Sequence, residues 1–191
     1  MPRPSSAPKL LDAAELCLLE GQGDFEMRDV SARANVSEGL TYHHFRNKAG
    51  LVTAVVERFF DRYDAVLNAH KDRSVPWAVR ERERLDELVD FLYAEPLARV
   101  VFGALSRLPE SAAAEIVRRQ ALVAKAAHNV RSGQEQGAIP ESVDAEVAGA
   151  SIIGAVNAVV GYGFAGESLP DRARVKAELW RVVAAIAGLD G

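Results

Sequence analysis

Four consecutive side chains, Thr41, Tyr42, His43 and His44, carry hydrogen-bond donors on short or flat groups, a composition suited to holding phosphate oxygens and reading base edges. Gly39, just before them, leaves room for a phosphate backbone to come close. For these groups to act together they must share one helix, and the flanking sequence supplies its ends. Ser37 is a favoured N-cap, and Glu38 in the first turn complements the helix dipole. The spacing predicts a helix from Glu38 to about Phe45, with Phe45 as an inward plug and a shape that fits a major groove.

Upstream, Val30, Ala34 and, past a corner, Val36 can face a common interior while Arg28, Asp29 and Arg33 stay polar, which predicts a short helix. Asn35 stands where the chain must leave that helix, since Asn tolerates the left-handed conformation better than most non-glycine residues. Two short helices around a tight corner make a helix-turn-helix. Downstream, Asn47 can cap a third helix, and Lys48 at its start brings a cation to where a phosphate would sit.

Other chemistries find less support. His43 and His44 are adjacent, so they cannot both face one metal from a helix, and His70 and His128 have no ligand partners at suitable spacing. No metal and no cofactor are expected. Glu81, Glu83, Asp86 and Glu87 alternate with Arg80, Arg82 and Arg84, the pattern of a solvated helix face. Without a Gly-rich phosphate loop, a nucleophile elbow or a Cys-His-Asp set, no enzyme activity is expected. Cys17 lies on an apolar helical stripe with Leu10, Ala13, Ala14 and Leu18, which reads as packing and agrees with a cytoplasmic location.

Charge limits how nucleic acid could be held. The net charge is −4, and within residues 1–50 the cations Arg3, Lys9, Arg28, Arg33, Arg46 and Lys48 are offset by Asp12, Glu15, Glu20, Asp24, Glu26, Asp29 and Glu38. Affinity must then come from a few placed cations, Arg28, Arg46 and Lys48, and from helix N-termini.

The rest of the 191 residues reads as helix. Leu51, Val52, Val55, Val56, Phe59, Phe60, Tyr63, Val66 and Leu67 recur at helical spacing from Lys48 onward, a connecting helix that ends at a break near Lys71–Pro76. Further helices are predicted at Trp77–Ala94, Leu97–Leu108, Glu110–Gln136, Val143–Gly166 and Pro170–Gly188, giving an all-α chain of about nine helices and no strand. The Gly- and Ala-rich run from Val147 to Ala165 approaches the roughly 20 apolar residues of a membrane helix. Ser151, Asn157 and several glycines interrupt it, and Glu146 and Glu167 flank it without basic anchors. It reads as a buried or interface helix, with no membrane partner expected.

The run Tyr42, His43, His44, Phe45 and then Lys48 resembles the DNA-binding motif of the TetR family of transcriptional regulators, whose usual pattern closes with Tyr, an aromatic or His, a polar residue, Phe and a Lys. The likeness extends from about Leu10 to Leu51 at motif level, and beyond that only through length and helical pattern. Where the family usually has a capping Ser or Thr this chain has Glu26, where Gly is common it has Asn35, and it reads Gly39, Leu40, Thr41, Tyr42 where Gly, hydroxyl, apolar, Tyr is usual. With the usual rotation, Leu40 rather than Thr41 faces the groove and could meet a thymine methyl.

The proline-rich start without an apolar core reads as a flexible arm at 1–8, and the resemblance implies a three-helix DNA-binding domain at 9–53 and a helical ligand-binding and dimerisation domain at 54–191. It implies a homodimer, most often a repressor, on a palindromic double-stranded DNA operator, released by a small-molecule effector. Its DNA-binding residues would be Arg28, Ser37, Glu38, Gly39, Leu40, Thr41, Tyr42, His43, His44 and Lys48. A dimer interface between the last two helices would use Ala148, Ser151, Ile152, Ala155 and Val159 with Val175, Leu179, Val182, Val183 and Ile186. An effector pocket implied by the family would draw on Phe91, Phe102, His128, Asn157, Tyr162 and Phe164, for which core packing is the competing reading. An all-helical module that binds a small molecule or protein and no longer binds DNA is the alternative, favoured by the acidic balance.

Overall fold

The structure, a computed structural model, describes residues 6–69, 72–107, 109–166 and 168–189. Most of the expected arm, with Arg3, and His70 and Lys71 at the expected break lie outside the described residues. Among the described residues the regular elements are all helical: α1 (Ala7–Glu20), α2 (Met27–Arg33), α3 (Glu38–Phe45), α4 (Lys48–Leu67), α5 (Trp77–Ala94), α6 (Leu97–Phe102), α7 (Pro109–Glu135), α8 (Ala145–Ala165) and α9 (Arg172–Ile186), with a 3-10 turn at Leu105–Arg107. The helix expected over Leu97–Leu108 is thus split. α6 stops at Gly103, whose φ of −98° and ψ of −93° are not helical.

The chain forms two compact units, Met1–Arg62 with Pro96–Ala112, and Tyr63–Glu95 with Ala113–Gly191. This differs from the division at residue 53, because the first unit keeps α4 as far as Arg62 and also takes α6. The reason is aromatic: Phe59 and Phe60 of α4 meet Phe102 of α6 edge-on, with ring centroids 5.8 and 6.1 Å apart. Leu10, Ala14 and Leu18 of α1 and Leu51, Val55 and Phe59 of α4 are fully buried in this unit, each set at the four-residue spacing of a single helix face. At the rim, Arg58 pairs with Asp12 and Glu15, both at 2.7 Å.

In the second unit, Trp77 at the start of α5 is buried with Val130 of α7, Ile139, Ala145 and Ala148 of α8, and Ala187. Its indole N–H donates to the Asn129 carbonyl at 3.0 Å, which removes the cost of burying that group. Asp144 and Asp171 cap α8 and α9, accepting from the Val147 and Arg174 backbone N–H at 3.0 and 2.8 Å. Arg118 lays its guanidinium on the Asp64 carboxylate, at 2.7 Å from Nη2, and 4.7 Å from the Tyr63 ring centre. Burial pushes the Tyr63 hydroxyl up to about 12, so it remains a neutral group.

Within α8, the stretch Ala145–Phe164 has the length and apolar composition to cross a membrane, with a mean hydropathy of 1.6. One side of it, Ala148, Ile153, Val156 and Val160, is buried in this unit. The helix approaches α7 most closely at Gly149, where an added Cβ would lie 2.5 Å from the Ala127 backbone nitrogen. Backbone cannot yield as a flexible side chain does. Gly149→Ala is expected to destabilise the protein by about 1–3 kcal/mol through overpacking, read from the urea unfolding midpoint; an unchanged midpoint would show that α7 and α8 are not held this tightly.

Candidate functional site

The corner between α2 and α3 turns at Asn35, whose φ of +53° is left-handed, while the Val36 N–H donates back to the Ser31 carbonyl at 3.0 Å. Ser37 caps α3 by accepting from the Leu40 N–H at 3.3 Å. Beneath the corner, Ser31 and Thr41 are both buried, at 2% and 0% exposure, with their hydroxyl oxygens 2.7 Å apart. Ser31 also donates to the Met27 carbonyl at 2.8 Å. Thr41 Oγ1 has the Ser37 carbonyl as a further acceptor at 3.5 Å, so either hydroxyl can donate within the pair.

This pairing sets the rotation of α3 and corrects one expectation. Thr41 is packed against α2 and cannot reach a groove. Gly39, Tyr42 and His43 are exposed, Leu40 is half-buried and Glu38 lies outward with them. Nothing would stand within 4 Å of a Cβ added at Gly39, so its surface is open to a phosphate. His44 is half-buried instead, its Nε2 hydrogen-bonded to Ser6 Oγ at 2.7 Å. Behind α3, Asn47 caps α4 by accepting from the Gly50 N–H at 2.8 Å. A Cβ at Gly50 would fall 2.3 Å from the Phe45 carbonyl oxygen, so only glycine fits that turn.

The cations of this face are partly neutralised. Lys48 forms an ion pair with Asp24 and lies 5.2 Å from the Phe25 ring centre, and the hydrogen bond from its ammonium holds the Asp24 carboxyl below the ordinary carboxylate value. Arg28 sits 3.7 Å from Asp29, and Arg33 makes two hydrogen bonds to Glu20 at 2.9 and 2.6 Å. Glu26 precedes α2 in an extended conformation, and its side chain makes no cap hydrogen bond. The phosphate-side cap that Ser or Thr would supply is absent at this position.

The second unit contains a cavity of about 290 Å³ between α5, α7, α8 and α9. Of the expected lining residues, His128 borders it. Phe91 faces Tyr63 at 6.4 Å between ring centres, and Phe164 is buried against Tyr93 at 5.5 Å. Phe102 belongs to the first unit, Tyr162 is 89% exposed, and Asn157 is half-buried outside the lining. The wall consists instead of Trp77, Arg80, Glu81 and Arg84 on α5, with Leu122, Asn129 and Ser132 on α7 and Ile152, Ile153 and Val156 on α8. Arg80 and Glu81, read from charge alternation as a solvated face, are 4% and 7% exposed. The signal that could have found them is Trp77, which with Arg80, Glu81 and Arg84 forms one face at three- and four-residue spacing.

The interface residues also divide. Ala148, Leu179 and Val183 are buried within their own unit, at 4%, 0% and 2% exposure, and Ile152 and Ile186 pack partly against its core. Ala155, Val159 and Val175 are half-buried and Ser151 is exposed. The outward apolar positions of α8 are Val147 at 63% and Tyr162 at 89%, with the exposed small residues Ala150, Gly154 and Ala158 between them; Val182 of α9 is 36% exposed. A helical stripe read from sequence does not distinguish the side that packs inward from the side left outside.

A buried corner, a capped second helix with an open polar face, and a separate helical unit enclosing a cavity are the build of a helix-turn-helix regulator. Residues 10–55 match the family described as bacterial regulatory proteins, tetR family. The chain thus carries the DNA-binding domain of that family at its N-terminal end, and its fold is that of TetR regulators. The Transposon Tn10 TetC protein of Escherichia coli is 28% identical over 90 residues, which cover 45% of this chain and 46% of that protein; the match thus spans about half the length of its curated relative. A TetR transcription regulator from Haloarcula marismortui has the same fold, with a TM-score of 0.73 at 16% identity over 96% of both chains. So does SmeT, the repressor of the Stenotrophomonas maltophilia multidrug efflux pump SmeDEF, with a TM-score of 0.72 at 20% identity over 94% of this chain and 88% of that one; SmeT has also been solved as a triclosan complex.

Because Lys48 is held by Asp24, Asp24→Asn should free a cation for a phosphate. DNA affinity is expected to rise, and the slope of log affinity against log salt to steepen by about 1. Fluorescence anisotropy on a labelled duplex across a salt series checks this, and an unchanged slope would remove Lys48 from the phosphate contacts.

Proposed function

We propose that this protein is a cytoplasmic, ligand-responsive transcriptional repressor that binds a palindromic double-stranded DNA operator as a homodimer and leaves it when a small-molecule effector fills the cavity of the second unit. The observation that carries this reading is the outward face of α3, where Gly39, Tyr42 and His43 stand exposed on a helix anchored by the Ser31–Thr41 bond. In it, each subunit lays α3 in one major groove, with Tyr42 and the Ser37–Gly39 turn against phosphates and Leu40 and His43 against base edges. The dimer forms through the outward stripe of α8, whose small residues permit close approach, together with Val182 of α9. SmeT, solved as a triclosan complex, supports a small-molecule effector. The effector acts by favouring the dimer geometry that does not fit the operator.

The acidic balance, a net charge of −4, and the Lys48–Asp24 pair favour a second reading, an all-helical binding module that has lost its DNA.

Genomic DNA selection with the purified protein, at low and near-physiological salt, separates the two. The regulator reading expects a palindrome with half-sites about one helical turn or more apart, and Tyr42→Ala should weaken binding to all sequences alike, by about tenfold. No enrichment at either salt would give the module reading the lead. Ala158→Glu, placing a charge on the exposed stripe, should convert a dimer to a monomer in light scattering; a surviving dimer would move the interface elsewhere.

A further inference from the structure

We propose that the cavity of the second unit is built for a small organic anion, a carboxylate on an apolar body, with Arg80 as the residue that binds the carboxylate. This rests on the effector reading above and assigns the chemistry of its ligand. Arg80 is 4% exposed, so its guanidinium has lost nearly all its water. In return its Nη2 donates to the neutral Gln136 Oε1 at a long 3.2 Å, while its Nε has no hydrogen-bond partner. Among the described residues no carboxylate stands within ion-pair distance of it. A buried guanidinium with an unused donor is costly, and a planar carboxylate accepting two parallel N–H bonds is the group that matches it best.

The surrounding charges point the same way. Glu81 borders the cavity, but its carboxylate is engaged by Arg84 at 3.3 Å. Arg84 in turn donates to the Leu67 and Ala69 carbonyls at 2.5 and 3.1 Å. Arg73, at the same wall, donates to Ser132 Oγ at 2.9 Å and pairs with Glu135 at 3.1 Å. The lining thus carries Arg73, Arg80, Arg84 and Lys125 against Glu81, an excess of positive charge in a chain whose net charge is −4. Beside these cations, Trp77, Leu85, Leu122, Ile153 and Val156 supply apolar lining. A volume of about 290 Å³ falls at the lower end of small-molecule sites, roughly 300–1,000 Å³, which selects a compact aromatic or medium-chain acid over a large amphiphile.

The test titrates the full-length protein with 4-phenylbutyrate, octanoate and indole-3-acetate, each beside its amide and its amine, by calorimetry, and for the two acids without an indole also by the emission of Trp77 and Trp180. At least one acid is expected to bind about tenfold or more tightly than its amide, and no amine to compete. Arg80→Gln should reduce that preference to about twofold or less while the amide's affinity stays near that of the unaltered protein. Arg80→Met, which replaces the buried charge with apolar volume, should lose the preference in the same way with a thermal midpoint unchanged or raised, so misfolding cannot account for the loss. Amides or amines binding as tightly as the acids, or no binding by any of the acids, overturns the anion assignment. An Arg80-dependent acid that leaves the protein on the operator recovered by selection keeps the anion site and overturns the effector reading.

Discussion

The hydrogen bond between the Ser31 and Thr41 hydroxyls, 2.7 Å long and closed off from water, decides which side of α3 the protein can offer to anything else. A helix of this length, Glu38–Phe45, has little stability of its own and takes its orientation from tertiary contacts. Tying its fourth residue to α2 turns Thr41 inward and, by the 3.6-residue period, turns Gly39, Tyr42 and His43 outward. The Asn35 corner and the Ser37 cap set where α3 begins, and the Asn47 cap starts α4 behind it. Each of these bonds satisfies a backbone or hydroxyl group that would otherwise be buried unpaired or left unpaired at a helix end.

Electrostatics in this unit restrain binding. Lys48, Arg28 and Arg33 each have a carboxylate close by, so each must exchange a protein partner for a phosphate. Exposed pairs of this kind contribute little stability and are readily given up. Their effect is to lower nonspecific attraction to DNA, and in the proposed regulator this gives shape and base contacts on α3 a larger share of recognition.

The second unit handles charge in the opposite way. Its surface pairs, such as Arg131 with Glu146 and Lys176 with Asp90, are matched, while inside it Arg80 is buried with a donor unused. The cavity depends on close packing around it: the α7 and α8 backbones approach at Gly149, and at Gly133 an added Cβ would lie 2.7 Å from Ile139 Cδ1 and 3.1 Å from the Trp77 ring. Small residues draw the helices together at these points, and the larger side chains of α5 hold them apart around the cavity.

The sequence by itself determined the helices and most of their ends, the stop of α6 at Gly103 excepted, because these follow from local chemistry: Ser37, Asn47, Asp144 and Asp171 cap as their side chains require, Asn35 takes the left-handed corner, and apolar residues recur at helical spacing. It also determined the motif, since the corner and its flanks lie within one short stretch. Only the tertiary structure decided which side of each helix faces inward. Thr41 and Leu40 differ by one position and Leu179 and Val182 by three, and periodicity alone does not assign such neighbours to interior or surface. Arg80 and Glu81 show the same limit, for charges that alternate along a helix look solvated until another helix covers them. Burial is a property of what comes to lie opposite a residue, and for α5 and α8 that partner is distant in sequence.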